Sequence, residues 1–279
     1  MRGNIVRHLL LASSGAKHKW VQSGLVTRQL QRRSLQLAVL RGNDNNDSHS
    51  VPLKALLVDA AGTLISPSEP VAQVYLDYAR DYGCTLTEKE VLQNFRRAFS
   101  SPWTQTLTRY VGDGRPFWSF IVSQSTGCSQ PELLERLYQH FAHPSAWDVY
   151  PGAQEALKRI RATGTKMAVV SNFDLRLRPL LEALKLDQLF DALIISAEVG
   201  AEKPNPVIFE AALQKLGVQP AETVHVGDDR RNDISGARHA GCHAWLWGAD
   251  VRSFDDVAAH MQDFNNAFSP IQGSAAEPR

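Results

Sequence analysis

Short apolar runs recur along the chain, and most of them close on polar side chains. Leu53 to Asp59 (LKALLVD) ends in a carboxylate, Lys166 to Asn172 (KMAVVSN) in Ser171 and Asn172, and Thr223 to Asp228 (TVHVGD) in Gly227 and Asp228. Ala192 to Ser196 (ALIIS) and His243 to Trp247 (HAWLW) complete the set. Apolar runs of this length suit parallel strands buried on both faces. Between them the apolar positions repeat at helical spacing. Ala153, Ala156, Leu157 and Ile160 form one stripe, opened by Pro151 and closed by Gly164; Leu177, Leu180, Leu181 and Leu184 form a second. A third, Phe209, Ala212, Leu213 and Leu216, lies between the start signal Asn205-Pro206 and the stop signal Gly217. Strands and helices in alternation predict an α/β fold with a doubly wound parallel sheet.

Residues 67–149 break the alternation. Val71, Val74, Tyr75 and Tyr78 share a helical face, as do Leu134, Leu137, Tyr138 and Phe141, while Trp103, Phe117, Trp118 and Phe120 add bulk. The pattern gives helices and no buried strand, so it predicts a helical cap inserted after the first strand. Such a cap sits over the carboxyl edge of the sheet, where open α/β folds bind ligands. The expected organisation is an address and linker over 1–50, a core from 51–66 and 150–250, the cap over 67–149, and a C-terminal helix and tail over 251–279. No apolar run approaches the roughly 18 residues needed to cross a bilayer, so no membrane association is expected.

Composition changes the picture at the N-terminus. The 279 residues are 43% hydrophobic and 21% charged, enough to bury a core. The net charge of +1 conceals an asymmetry: residues 1–41 carry Arg2, Arg7, Lys17, Lys19, Arg28, Arg32, Arg33 and Arg41, with no Asp or Glu. With four serines as well, this is the composition of an organelle transit peptide, and the weight of arginine favours mitochondrion over plastid. A basic tail, or a nucleic-acid arm built on Arg32 and Arg33, is the plainer alternative. Gly42 to Ser50 (GNDNNDSHS) reads as a linker. Acidic side chains outnumber basic ones in the remainder, so no nucleic-acid partner is expected. Cys84, Cys128 and Cys242 form no CxxC pair, which argues against a disulfide framework or a structural zinc site.

Polar groups at the ends of parallel strands converge at one sheet edge. Here they are Asp59, Ser171, Lys203 (AEKPNP), and Asp228, Asp229 and Asp233 (VGDDRRND). Taken singly, each has an ordinary explanation as a turn, cap or solvated loop residue. As an ordered set they point to chemistry on a phosphate. Asp59 would be a nucleophilic carboxylate, and Asp228 with Asp59 would hold a hard cation such as Mg²⁺. Ser171 would hydrogen-bond phosphoryl oxygens, and Lys203 would neutralise charge on the nucleophile and the transferring group.

These motifs resemble those of the haloacid dehalogenase-like hydrolase superfamily over about residues 53–248. They are Asp59-Ala60-Ala61-Gly62-Thr63-Leu64, Ser171-Asn172, Lys203 and Gly227-Asp228-Asp229-Arg230-Arg231-Asn232-Asp233. The SNFD stretch is most similar to the branch of haloacid dehalogenase-like hydrolase domain-containing and rhythmically-expressed-gene-two-like proteins. The resemblance implies a Rossmannoid core with an α-helical cap and Mg²⁺-dependent hydrolysis of a small phosphorylated metabolite. It assigns Asp59, Ser171 and Lys203 to catalysis and Thr63 and Asn172 to substrate binding. The metal falls to Asp59, Asp228 and the backbone carbonyl of Ala61.

One departure stands out. The second carboxylate of the usual Asp-x-Asp, which protonates the leaving oxygen and activates water, is replaced by Ala61. Losing such a group costs roughly 10² to 10⁴ in rate. Three expectations follow: a slow or selective phosphohydrolase, with Asp174 or Asp229 as a substitute proton donor; a non-catalytic module that binds a phosphorylated ligand or a protein; or another reaction of the superfamily. Phosphonoacetaldehyde hydrolases share Asp-x-Ala-Gly-Thr but need a Schiff-base lysine in the cap. Lys89, the only lysine between residues 66 and 150, has acidic neighbours that favour a charged, solvated side chain. The 2-haloacid dehalogenases lack this metal-binding arrangement. Arg80, Tyr82, Trp103, Arg109, Arg115, Trp118 and the loop Tyr110 to Pro116 are the cap positions that could face the site.

Overall fold

Strand β1 (Ala55–Val58) is buried on both faces, and its side chains divide between two cores. Leu56 and Val58 pack into one, Ala55 and Leu57 into the other. β4 (Lys166–Ser171) alternates in the same way, Met167 and Val169 against Ala168 and Val170. This is the period-two division that a strand between two helical layers requires. The computed structural model describes residues 51–106 and 108–268. The basic segment and linker of residues 1–50 lie outside them.

The central sheet has five strands in the order β5-β4-β1-β6-β7, with β5 (Ala192–Ile195), β6 (Thr223–Gly227) and β7 (His243–Leu246) completing it. Every pairing is parallel; Val58, for example, stands beside Val169 on one side and Val226 on the other. β1 is thus flanked by β4 and β6, and the polar ends of all three strands face the same edge.

Four helices separate β1 from β4's own unit: α1 (Val71–Arg80), α2 (Glu88–Ser100), α3 (Arg115–Thr126) and α4 (Pro131–Ala142). They enclose a third apolar core around Tyr75, Phe95, Phe117 and Leu137. α2 starts with a capping box between Thr87 and Glu90, and α3 and α4 carry proline in their first turn. Lys89 is exposed on α2. The remaining principal helices are α5 (Ala153–Ala162), α6 (Leu177–Ala183), α7 (Pro206–Leu216) and α8 (Phe254–Asn266). α7 has the boundaries its signals predict: Asn205 caps the Val207 N–H at 3.1 Å, and Gly217 ends it at φ 64°. α5 begins after Gly152 rather than at Pro151.

A second sheet was not expected. β2 (Ile65–Pro67) pairs antiparallel with β3 (Trp147–Val149), Pro67 opposite Trp147, where the sequence pattern shows no strand. Three residues are too few for a period-two signal, and the partners lie about eighty positions apart in the chain. This ribbon carries the chain out to the four helices and back. Among the described residues no helix is long and apolar enough to cross a membrane.

Candidate active site

Asp59 ends β1, and its N–H donates to the Val226 carbonyl at 2.9 Å. The chain then folds back on itself: the N–H groups of Leu64 and Ile65 both donate to the Ala60 carbonyl, at 2.8 and 2.9 Å. Gly62 makes this turn at φ 93°, and a Cβ there would lie 3.0 Å from Asp228 Oδ2. Both the conformation and the close approach call for glycine.

Lys203 is buried and bridges two carboxylates: Nζ donates to Asp59 Oδ1 at 2.7 Å and to Asp233 Oδ1 at 2.6 Å. Asp233 is a hub. It also accepts from His225 Nε2 at 2.9 Å and, through Oδ2, from the Asp229 N–H at 2.8 Å. The π-helical turn Arg230–Ser235 aims it back at β6. Asn172 fixes the opposite side of Lys203, since its Oδ1 accepts the Lys203 N–H at 2.7 Å and its Nδ2 donates to the Lys203 carbonyl at 2.9 Å. Its amide therefore positions the lysine loop, and the residue also lines the cavity.

Burial penalises the charged form of each of these groups, and their neighbours decide the outcome. Burial pushes Asp59 up to about 6, against the pull of Lys203. It raises Asp228 well above the usual carboxylate range, reinforced by Asp233 and Asp59. For Asp233 the burial effect is overcome by Lys203 and His225, which hold it below its ordinary value. Lys203 is likewise buried, yet Asp233 and Asp59 keep its ammonium above the ordinary lysine range. Burial keeps His225 below its usual value. Three carboxylates face one ammonium, so negative charge is in excess.

Asp59, Asp228 and Asp233 each offer an oxygen, and these lie within 4.8 Å of one another. Both Asp228 oxygens are buried without a hydrogen-bond partner. An unpaired buried charged group is costly, and a divalent cation relieves it. Mg²⁺ is satisfied by one or two carboxylates plus phosphate oxygens, and the donor set fits it. Asp59 and Asp228 would be the carboxylates left to hold such an ion, because both oxygens of Asp233 are already engaged. Ala61 stands on the wall of the adjoining cavity.

That cavity, of about 260 Å³, opens from Asp59, Ser171 and Lys203 toward the four helices. Thr63, expected to bind substrate, is not on its wall; it is sealed beneath the turn with its Oγ1 unpartnered. Of the cap positions, Tyr110, Arg115 and Trp118 line the cavity. Arg80 instead pairs with Asp77, Tyr82 meets Arg136, Trp103 packs on Phe117, and Arg109 lies over Phe99 and Phe117.

Neither candidate proton donor, Asp174 or Asp229, is on the cavity wall. Asp229 Oδ1 caps the N–H groups of Arg231 and Asn232, both at 2.8 Å. Asp174 is fully buried and grips Arg176 in a bidentate pair, Nε to Oδ1 at 2.9 Å and Nη2 to Oδ2 at 2.8 Å. Asp174 also accepts from Trp118 Nε1 at 2.7 Å, and Gly114 packs so closely that a Cβ there would lie 2.9 Å from it. The Arg176 guanidinium stacks 3.8 Å from the Tyr138 ring centroid. Sequence reasoning missed Arg176 and His225 altogether: the Tyr138 ring and carbonyl that complete the setting of Arg176 come from a distant helix, and His225 meets Asp233 only through the turn after β6.

The model of the haloacid dehalogenase-like hydrolase family matches residues 53–241. The chain is similar to haloacid dehalogenase-like hydrolase domain-containing protein 3 of Bos taurus, with 35% identity over 210 residues, covering 71% of this chain and 83% of the relative. It is 28% identical to the rhythmically expressed gene 2 protein of Drosophila melanogaster, covering 77% and 95%. Among solved structures, a HAD phosphatase from Thermococcus onnurineus matches with TM-score 0.51 and 29% identity, covering 73% of this chain and 90% of that one.

Proposed function

The chain belongs to the haloacid dehalogenase-like hydrolase family, and on that premise we propose that it is a Mg²⁺-dependent phosphohydrolase with Asp59 as nucleophile. The observation that carries this reading is the buried Lys203 bridge to Asp59 and Asp233, set beside the unpartnered oxygens of Asp228. The phosphatase named among the structural relatives supports it. Lys203 holds Asp59 by Oδ1 and so orients the carboxylate toward the cavity. A carboxylate oxygen attacks phosphorus, the bond to the leaving oxygen breaks, and that oxygen departs with the electron pair. Ser171 and Lys203 stabilise the phosphoryl oxygens as charge shifts. Water then attacks phosphorus of the aspartyl-phosphate, Asp59 is restored as a carboxylate, and the proton of the water passes to the released phosphate. Mg²⁺ bound by Asp59, Asp228 and the Ala61 carbonyl would neutralise the phosphate charge.

Ala61 supplies no proton to the leaving oxygen and no base to the water. Turnover of ordinary alkyl esters is therefore slow, by roughly 10² to 10⁴ relative to a site with that carboxylate. The same absence favours a second reading, a module that binds a phosphorylated ligand without turnover. Phosphate release by the full chain with Mg²⁺, compared with Asp59→Asn, decides between them. Release lost in the variant supports the hydrolase; equal background in both supports the binding module. The reading includes a mitochondrial destination, supported by the basic, acid-free residues 1–41.

A further inference from the structure

The walls of the cavity say what kind of molecule carries the phosphate. Beyond Asp59, Ser171 and Lys203, the rings of Tyr75, Phe99, Tyr110, Trp118, Tyr138 and Phe141 border the space. A cavity of about 150 Å³ suffices to hold benzene. The roughly 260 Å³ here therefore takes a phosphoryl group and a ring together.

The charges on the wall are equally informative. Among the described residues, the cations lining the cavity are Arg115, Arg176 and Lys203. Arg176 is neutralised by Asp174, and its remaining Nη1 donates to the Tyr138 carbonyl at 3.0 Å. Arg115 pairs with Asp113 and with Glu135 at 3.0 Å, and Glu135 itself lines the wall. Lys203 serves Asp59 and Asp233. No cation is left unmatched to receive a second anionic group on the substrate, and Glu135 would repel one.

Ala61 adds an independent constraint. With no acid beside the leaving oxygen, the group must depart as an anion. A phenol has a pKa of about 10, as in tyrosine, whereas water stands at roughly 15.7. An aryl oxygen thus leaves far more readily than an alkyl one.

Resting on Asp59 as nucleophile, we propose that the substrate is an aryl phosphate monoester: one phosphate on a flat apolar ring, without a second charged group. The P–O bond breaks with its electron pair on the aryl oxygen, and the aryloxide takes its proton from solvent after release.

Phosphonates test the ligand class apart from turnover, because their C–P bond is not hydrolysed. Calorimetric titration of the full chain with Mg²⁺ would compare phenylphosphonate, methylphosphonate and 4-carboxyphenylphosphonate. The phenyl compound is expected to bind at least about tenfold more tightly than either of the others. Equal binding of the methyl compound, tighter binding of the carboxylated one, or binding of none overturns the proposal. Ser119→Phe puts a ring into the cavity from α3 and should abolish the phenyl preference while methylphosphonate still binds; an intact preference would place the ring elsewhere and overturn the assignment. Phenyl preference without phosphate release from phenyl phosphate refutes the hydrolase reading alone. Release from alkyl phosphates without phenyl preference refutes the ligand class alone.

Discussion

Asp174→Asn keeps the shape of the side chain and removes its charge, and the structure gives the size of the effect. Oδ1 accepts from the N–H and Nε of Arg176, and Oδ2 from Arg176 Nη2 and Trp118 Nε1. An asparagine offers one acceptor oxygen, so one pair of these bonds is lost and its NH₂ is turned toward donors. Hydrogen bonds to charged groups contribute about 1.5–3 kcal/mol each, which puts the loss at roughly 3–6 kcal/mol. Breaking a buried ion pair by removing one partner costs about 3–5 kcal/mol, in agreement. For a protein of this size each kcal/mol shifts Tm by about 2–4 °C, so a fall of roughly 6–24 °C is expected. A thermal melt followed by circular dichroism measures the fall in Tm, and urea titration at neutral pH measures the loss in kcal/mol. The variant also leaves Arg176 as an unmatched cation on the cavity wall. It should therefore bind 4-carboxyphenylphosphonate more tightly than phenylphosphonate, the reverse of the parent. Stability within about 1 kcal/mol of the parent, the level of an exposed pair, would refute the account of Asp174.

Ala61→Asp places a carboxyl group beside Asp59, the proposed nucleophile, and turnover of alkyl phosphates should rise by roughly 10² to 10⁴; an unchanged rate would show that the acid is not what limits them. Mg²⁺ should stabilise the protein increasingly as pH rises. Asp59, held at about 6 when folded against an ordinary 3.8, favours the fold fully below the unfolded value, and this is lost as pH rises through about 6; Asp228 continues the trend. The cation replaces the lost protons, so thermal scans near pH 5 and pH 8 should show a larger Mg²⁺-induced Tm shift at the higher pH, and equal shifts would exclude these carboxylates as ligands. Residues 1–50 fused to a fluorescent protein should direct it to mitochondria; diffuse fluorescence would favour the plain basic tail.

The core was legible because its strands are buried on both faces, which forces apolar runs such as Leu53 to Asp59 and leaves the polar groups at the run's end. Asp59, Ser171, Lys203 and Asp228 could thus be brought to one edge from order alone. What was not legible depends on the geometry of a turn and on which way neighbouring side chains close, which spacing alone does not give. Asp233 stood near Asp228 in the motif, but only the π-helical turn makes it the hub for Lys203 and His225. Asp174 looked like a spare acid until Arg176, two residues on, closed around it. Thr63 shared a motif with Asp59, yet the backward turn at Gly62 seals it away from the cavity.

The ribbon of β2 and β3 has a consequence for how this architecture changes over time. Facing residues of an antiparallel pair lie about 5 Å apart, so Pro67 and Trp147 mark a departure and return that nearly coincide. A short reverse turn could join them, and the parallel sheet with Asp59, Lys203 and Asp228 would keep its connectivity. The aromatic enclosure is therefore a detachable module in the topological sense. Ancestral exchange of one enclosure for another would alter which molecules are admitted while Asp59, Lys203 and Asp228 are inherited intact.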